Sequence, residues 1–128
     1  MNYDEALTKV QRATGVSSRE EAQQLALAFL RTLGERLSGG ETFDLASQLP
    51  LHLAEALPPL GSGEPFGVQE FYRRLAHRTG TDEQTAALHT RALMSLLREA
   101  VTGTAYAHVL AQLPQEYADL ATGPAARE

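Results

Sequence analysis

Cysteine is missing from all 128 residues of the chain. Disulfides, thiolate metal sites and cysteine nucleophiles are excluded with it. A reducing cytoplasm is the expected location. Long apolar runs are missing as well. No stretch reaches the ~18 residues of a membrane span, and the start, MNYDEALTKV, does not read as a signal peptide. Positive charge is scarce: the formal net charge is −5. Nucleic-acid-binding proteins usually present a basic face, so nucleic acid is not an expected partner. Up to Leu60 there are five basic and eight acidic residues, and from Gly61 onward six and eight, so neither half is a charged tail.

Lysine is nearly absent, with Lys9 alone against ten arginines. That settles one false lead. Leu37-Ser38-Gly39-Gly40-Glu41 looks like the signature loop of transport ATPases. Such a loop works only beside a phosphate-cradling Gly-x-x-x-x-Gly-Lys-Ser/Thr loop, and the sequence has none. Gly39 and Gly40 read instead as a helix stop, where left-handed backbone is common.

What is present is a repeat. Glu35 to Pro50, ERLSGGETFDLASQLP, recurs in degenerate form as Glu99 to Pro114, EAVTGTAYAHVLAQLP. Gly39 corresponds to Gly103, and Gln48-Leu49-Pro50 to Gln112-Leu113-Pro114. The correspondence extends upstream. Asn2 and Glu5 form a capping-box pattern for a helix ending at Gly15, and Gly67 and Glu70 hold the same places before Gly80. Phe66, just before that second cap, is placed to staple onto Phe71. Ser18 opens a longer helix with the stripe Ala22, Leu25, Ala26, Phe29, Leu33 and Leu37. Thr81 or Asp82 opens its counterpart, striped by Ala86, His89, Leu93, Leu97 and Val101. Two short helices are expected at 41–48 and 50–57. The expectation is an all-α fold: two tandem copies of a four-helix unit, 2–57 and 66–120, packed as one helical bundle-like domain with pseudo-twofold symmetry. PPLGSGEP, residues 58–65, is the linker, and 121–128 a flexible tail.

LGERLSGGE (Leu33–Glu41), DLASQLP (Asp44–Pro50), LLREAVTG (Leu96–Gly103) and AQLPQEY (Ala111–Tyr117) together closely resemble a bacterial family known as domain of unknown function 2267. The resemblance runs from about Asn2 to Leu120, duplication included. It implies a small cytoplasmic all-helical protein and supplies no activity, cofactor or catalytic residue. The second half departs from the family's pattern. Acidic residues like Glu41 and Asp44 are common after the turn in that half, and here Ala105 and His108 stand instead.

Two groups of charged residues are candidates for an interaction surface. Glu35, Glu41 and Asp44 surround the glycine break. They read as a cation site or acidic docking patch, or simply as carboxylates favouring a helix start. Arg73, Arg74, His77 and Arg78 form the one basic stripe. It reads as a site for phosphate or an acidic partner, or as a solvated face paired with neighbours such as Glu70. None of His52, His77, His89 and His108 has the i, i+4 pairing of a helical metal site, and no metal or cofactor is assigned. His89, on an apolar stripe, reads as a hydrogen-bonded core histidine. His108 with Asp44 or another carboxylate could make an acid–base pair, but no nucleophile is marked beside it. The functional expectation is a non-enzymatic interaction or adaptor module with a protein partner, self-association included. The alternative is a small ligand or lipid held in a groove between the halves, lined by Phe29, Phe71 and Tyr72.

Overall fold

In the computed structural model, which describes residues 1–117, the chain's caps decide where its helices begin. The tail expected at 121–128 lies outside the described residues. Helix α1 is Tyr3–Thr14. Its capping box is complete: Glu5 N donates to Asn2 Oδ1 at 2.8 Å and Asn2 N to Glu5 Oε1 at 3.0 Å. Helix α2 is Arg19–Arg36. Ser18 Oγ accepts from Glu21 N, while the Glu21 carboxylate reaches back to the backbone and hydroxyl of Ser17 rather than to the cap. Helices α5 (Val68–Thr79) and α6 (Glu83–Ala100) repeat the lengths of α1 and α2, twelve and eighteen residues. Gly15 and Gly80 close α1 and α5 in the left-handed conformation, at φ 78° and 71°.

Each of these four helices packs chiefly on two of the others, and α2 and α6 also touch. α1 lies against α2 and α6, and α5 against α6 and α2. Their stripes fill the space between them. Leu33, Leu37, Phe71, Leu75 and Met94 are fully buried. Phe29 and Phe71 meet edge to face at 5.9 Å, and Tyr117 meets Phe71 at 6.1 Å. The expected staple forms as well, with Phe66 and Phe71 ring centroids 6.4 Å apart.

The shorter elements sit at one end. Helix α3 is Glu41–Ala46 and α4 is Leu51–Ala54, both shorter than expected. In the second half their place is taken by one ten-residue helix, α7 (Gly103–Gln112), and a 3-10 turn, Gln115–Tyr117. α3 packs on α7 and α4, and α4 also touches α1 and α2. Mostly helical as expected, the chain also has an unexpected ladder. Strand β1 (Ser38–Gly39) pairs antiparallel with β2 (Gly61–Ser62), so the linker is fastened to the end of α2. Glycine at 61 is required there, because a Cβ would lie 2.1 Å from Leu37 O.

Two hydrogen bonds join the halves in a reciprocal way. Thr102 N donates to Gln48 Oε1 at 2.7 Å, and Ser38 N to Gln112 Oε1 at 2.8 Å. Ser38 and Thr102 hold corresponding places in the repeated stretch, as do Gln48 and Gln112. The N-terminus of α5 is completed from afar. Gly67 has no side chain to cap it, and Glu116 Oε2 accepts from Val68 N at 2.8 Å. No described helix is long and apolar enough to cross a membrane.

Candidate functional site

The residues singled out from the sequence fall into two separate clusters, divided differently from the sequence grouping. Glu35 leaves the acidic group and joins the basic one. It sits in the last turn of α2, facing α5 across the packed pair. Arg78 binds it through both terminal nitrogens, and one of them also donates to Thr32 Oγ1 at 2.7 Å. Arg74 is more thoroughly engaged. Its Nε donates to Glu70 at 2.9 Å, Nη1 to Glu35 at 3.0 Å and Nη2 to Glu64 at 2.9 Å. The guanidinium also lies 4.0 Å from the centre of the Phe66 ring. Arg73 forks onto Glu70.

Electrostatics follow the contacts. Hydrogen bonds from Arg73 and then Arg74 hold the Glu70 carboxyl down at about 2. Glu35 is lowered chiefly by its bond to Arg78, against the opposing effect of burial. Arg74 is raised, first by Glu64 and then by Glu70. The three stripe arginines thus spend their charge on the chain's own carboxylates, Glu64 among them. His77 is exposed and makes no hydrogen bond or ion pair among the described residues.

The second cluster lies at the contact of α3 with α7. Glu41 and Asp44, three apart on α3, share a face, and His108 reaches them from α7. One donor atom from each of the three lies within 4.8 Å of the others. Glu41 Oε1 is closed off from solvent and accepts no hydrogen bond from the described residues. His108 Nδ1 stands 4.0 Å from it. The neighbouring Thr42 hydroxyl is buried and unpartnered too. The structure thus brings His108 near Glu41 and Asp44, but no hydrogen bond joins the imidazole to either carboxylate among the described residues.

A model of the family described as "Uncharacterized conserved protein (DUF2267)" matches residues 3–120. The chain belongs to that family. No curated protein matches it. Membership of DUF2267 carries no named chemistry, so what this DUF2267 chain can do rests on its own side chains. The remaining histidines are accounted for differently. His52 stacks edge-on against Tyr3 at 5.3 Å. His89 is half-buried between Leu25 and Thr79 in a recess of about 110 Å3. Among the described residues its Nδ1 finds no hydrogen-bond partner, unlike the hydrogen-bonded core histidine expected, and burial pushes its pKa down. Sequence reasoning missed the role of Glu64 and Glu116, because both act on partners ten or more residues away with no periodic signal.

Proposed function

We propose that the chain is a non-enzymatic, cytoplasmic interaction module: one four-helix unit written twice, docking a protein partner beside its short helices. The observation that carries the docking role is the exposure of large apolar side chains there. Phe43 on α3 and Leu51 on α4 are 67% and 71% exposed, on two helices that touch each other. Burying either would contribute roughly 1.5–3 kcal/mol, and the fold leaves that free energy unused. Aromatic anchors of this kind are typical of interface cores. The duplicated unit is supported by the matched lengths of α1 with α5 and α2 with α6, and by the exchanged glutamine bonds.

The ligand-groove alternative has less support. Phe29 and Phe71 fill the space between the halves against each other. The apolar recess beside Phe29, among Val10, Leu30, Leu53 and Leu97, holds about 60 Å3, against the ~300–1,000 Å3 of ordinary ligand sites.

The test is capture from lysate of the native host with the wild-type chain and with a Phe43→Ser, Leu51→Ser variant. Both side chains are solvent-exposed, so the variant should keep its circular dichroism and melting temperature. A near-stoichiometric protein retained by the wild type and lost by the variant is the expected result. A second copy of the chain in that role would appear as concentration-dependent mass in sedimentation. Retention of nothing, or of the same proteins by both, sinks the proposal.

A further inference from the structure

We propose that Glu41, Asp44 and His108 bind one first-row divalent transition-metal ion, of which Zn2+ is the representative, across the contact of α3 with α7. The donors come from two helices on opposite sides of the linker and converge within 4.8 Å of one another. A second observation is separate from that convergence. The Glu41 side chain keeps 25% exposure, but its Oε1 is shut away from water, has no hydrogen bond among the described residues, and lies 4.0 Å from His108 Nδ1. A desolvated carboxylate oxygen is costly unless a cation meets it, and an orphaned buried acceptor calls for a missing partner. At 4.0 Å the imidazole is too far to be a hydrogen-bond donor to it.

The donor set selects the class of ion. Magnesium and calcium prefer all-oxygen shells. An imidazole with two carboxylates suits zinc and its first-row neighbours, and three protein ligands leave a coordination position open for water or a further donor. Tetrahedral bonds of 2.0–2.1 Å place donors about 3.4 Å apart. The observed set therefore has to close by on the order of 1 Å. Asp44 is exposed and the His108 side chain is 57% exposed, so both are free to turn inward while Glu41 holds its place. Asp44 and His108 occupy corresponding positions of the two repeated stretches. The place where the copies meet thus carries one acid and one imidazole rather than two acids, which gives a mixed shell. A bound ion would clamp the first half of the chain to the second.

The experiment is calorimetric titration of Zn2+ into the chelator-stripped full-length chain, with Mg2+ as the contrast. One Zn2+ per chain with micromolar affinity is expected, and no binding of Mg2+ at the same concentrations. His108→Ala and Glu41→Gln should each weaken Zn2+ at least tenfold. A hundredfold excess over Kd should raise the melting temperature by on the order of 10 °C in the wild type only. A wild-type readout covers the case of a misfolded variant: Co2+ should broaden the NMR signals of α3 and α7 around His108 before any others. No saturable Zn2+ binding below millimolar overturns the proposal. So does binding unchanged by His108→Ala, or Co2+ broadening centred on His52, His77 or His89.

Discussion

Arg74 shows how far one side chain can gather a fold. It takes carboxylates from α2, from the linker and from its own helix, and its flat face covers Phe66. Isolated surface ion pairs contribute little, but a forked arginine in a network with a ring beneath it is worth more. We expect Arg74→Ala to cost about 2 kcal/mol in urea unfolding, because Glu35, Glu64 and Glu70 are then left facing one another. Arg74→Lys keeps the charge but not the fork, and should fall between. The pH dependence follows from the same contacts. Glu35 and Glu70 are lowered in the fold, so the folded chain holds fewer protons than the unfolded one below the ordinary carboxylate range. Their stabilisation is present above about 4.5 and is lost as pH falls towards the Glu70 value of about 2. Urea midpoints at pH 6, 4 and 3 should drop steeply in the wild type and less in Arg74→Ala. A uniform drop in both would mean that other carboxylates govern the acid response. At this scale the sequence was partly legible. The pairing of the basic stripe with Glu70 could be read from i, i+3 and i, i+4 spacing. The transfer of Glu35 from the acidic turn to the arginines could not, since it depends on how α2 and α5 pack.

The helices α1, α2 and α6 were legible because their starts are written locally, in the capping side chains of Asn2, Ser18 and Asp82, and α1 and α5 also because Gly15 and Gly80 close them. The short elements are governed by distant partners instead. The ladder of β1 with β2 is two residues long, with no alternation to announce it, and needs only the close approach of Gly61 to Leu37. α3 stops at Ala46 while its counterpart α7 runs on to Gln112, although a proline follows each at the corresponding place, Pro50 and Pro114. The repeated Gln-Leu-Pro reads as a joint in the sequence, and the structure gives its glutamines a partner across the molecule. Gln48→Ala should free the Thr102 amide, and Gln112→Ala the Ser38 amide. Each should cost roughly 0.5–1 kcal/mol, because water can replace the lost bond at these exposed sites. Gln112→Ala should cost more, since Gln112 Nε2 also donates to Ser38 O at 3.3 Å. Amide hydrogen exchange checks this directly. Exchange should quicken at Thr102 in one variant and at Ser38 in the other, and a change at neither would mean that the bonds are not maintained in solution.

The whole molecule is a set of exchanged contacts rather than two balls on a string. α1 finds its second neighbour in α6, and α2 finds its own in α5. A half-chain would therefore keep one helical hairpin and expose the face meant for the other. Fragments of about 60 residues are marginal even when their core is complete, and here Phe29 would lose Phe71 and Glu35 would lose both arginines. We expect residues 1–59 and 60–128, made separately, to show weak helicity and no cooperative melt. Mixed in equal amounts they should regain the circular dichroism of the intact chain, with a melting temperature that rises with concentration. The cut falls at exposed Pro59 and Leu60, so it spares both β2 and the Glu64–Arg74 bond. Cooperative folding of either fragment alone would show that the two halves are independent units and that the contacts between them are secondary. Failure to reassemble would show that the covalent linker, held to α2 by the ladder, is needed to bring the two stripes into register.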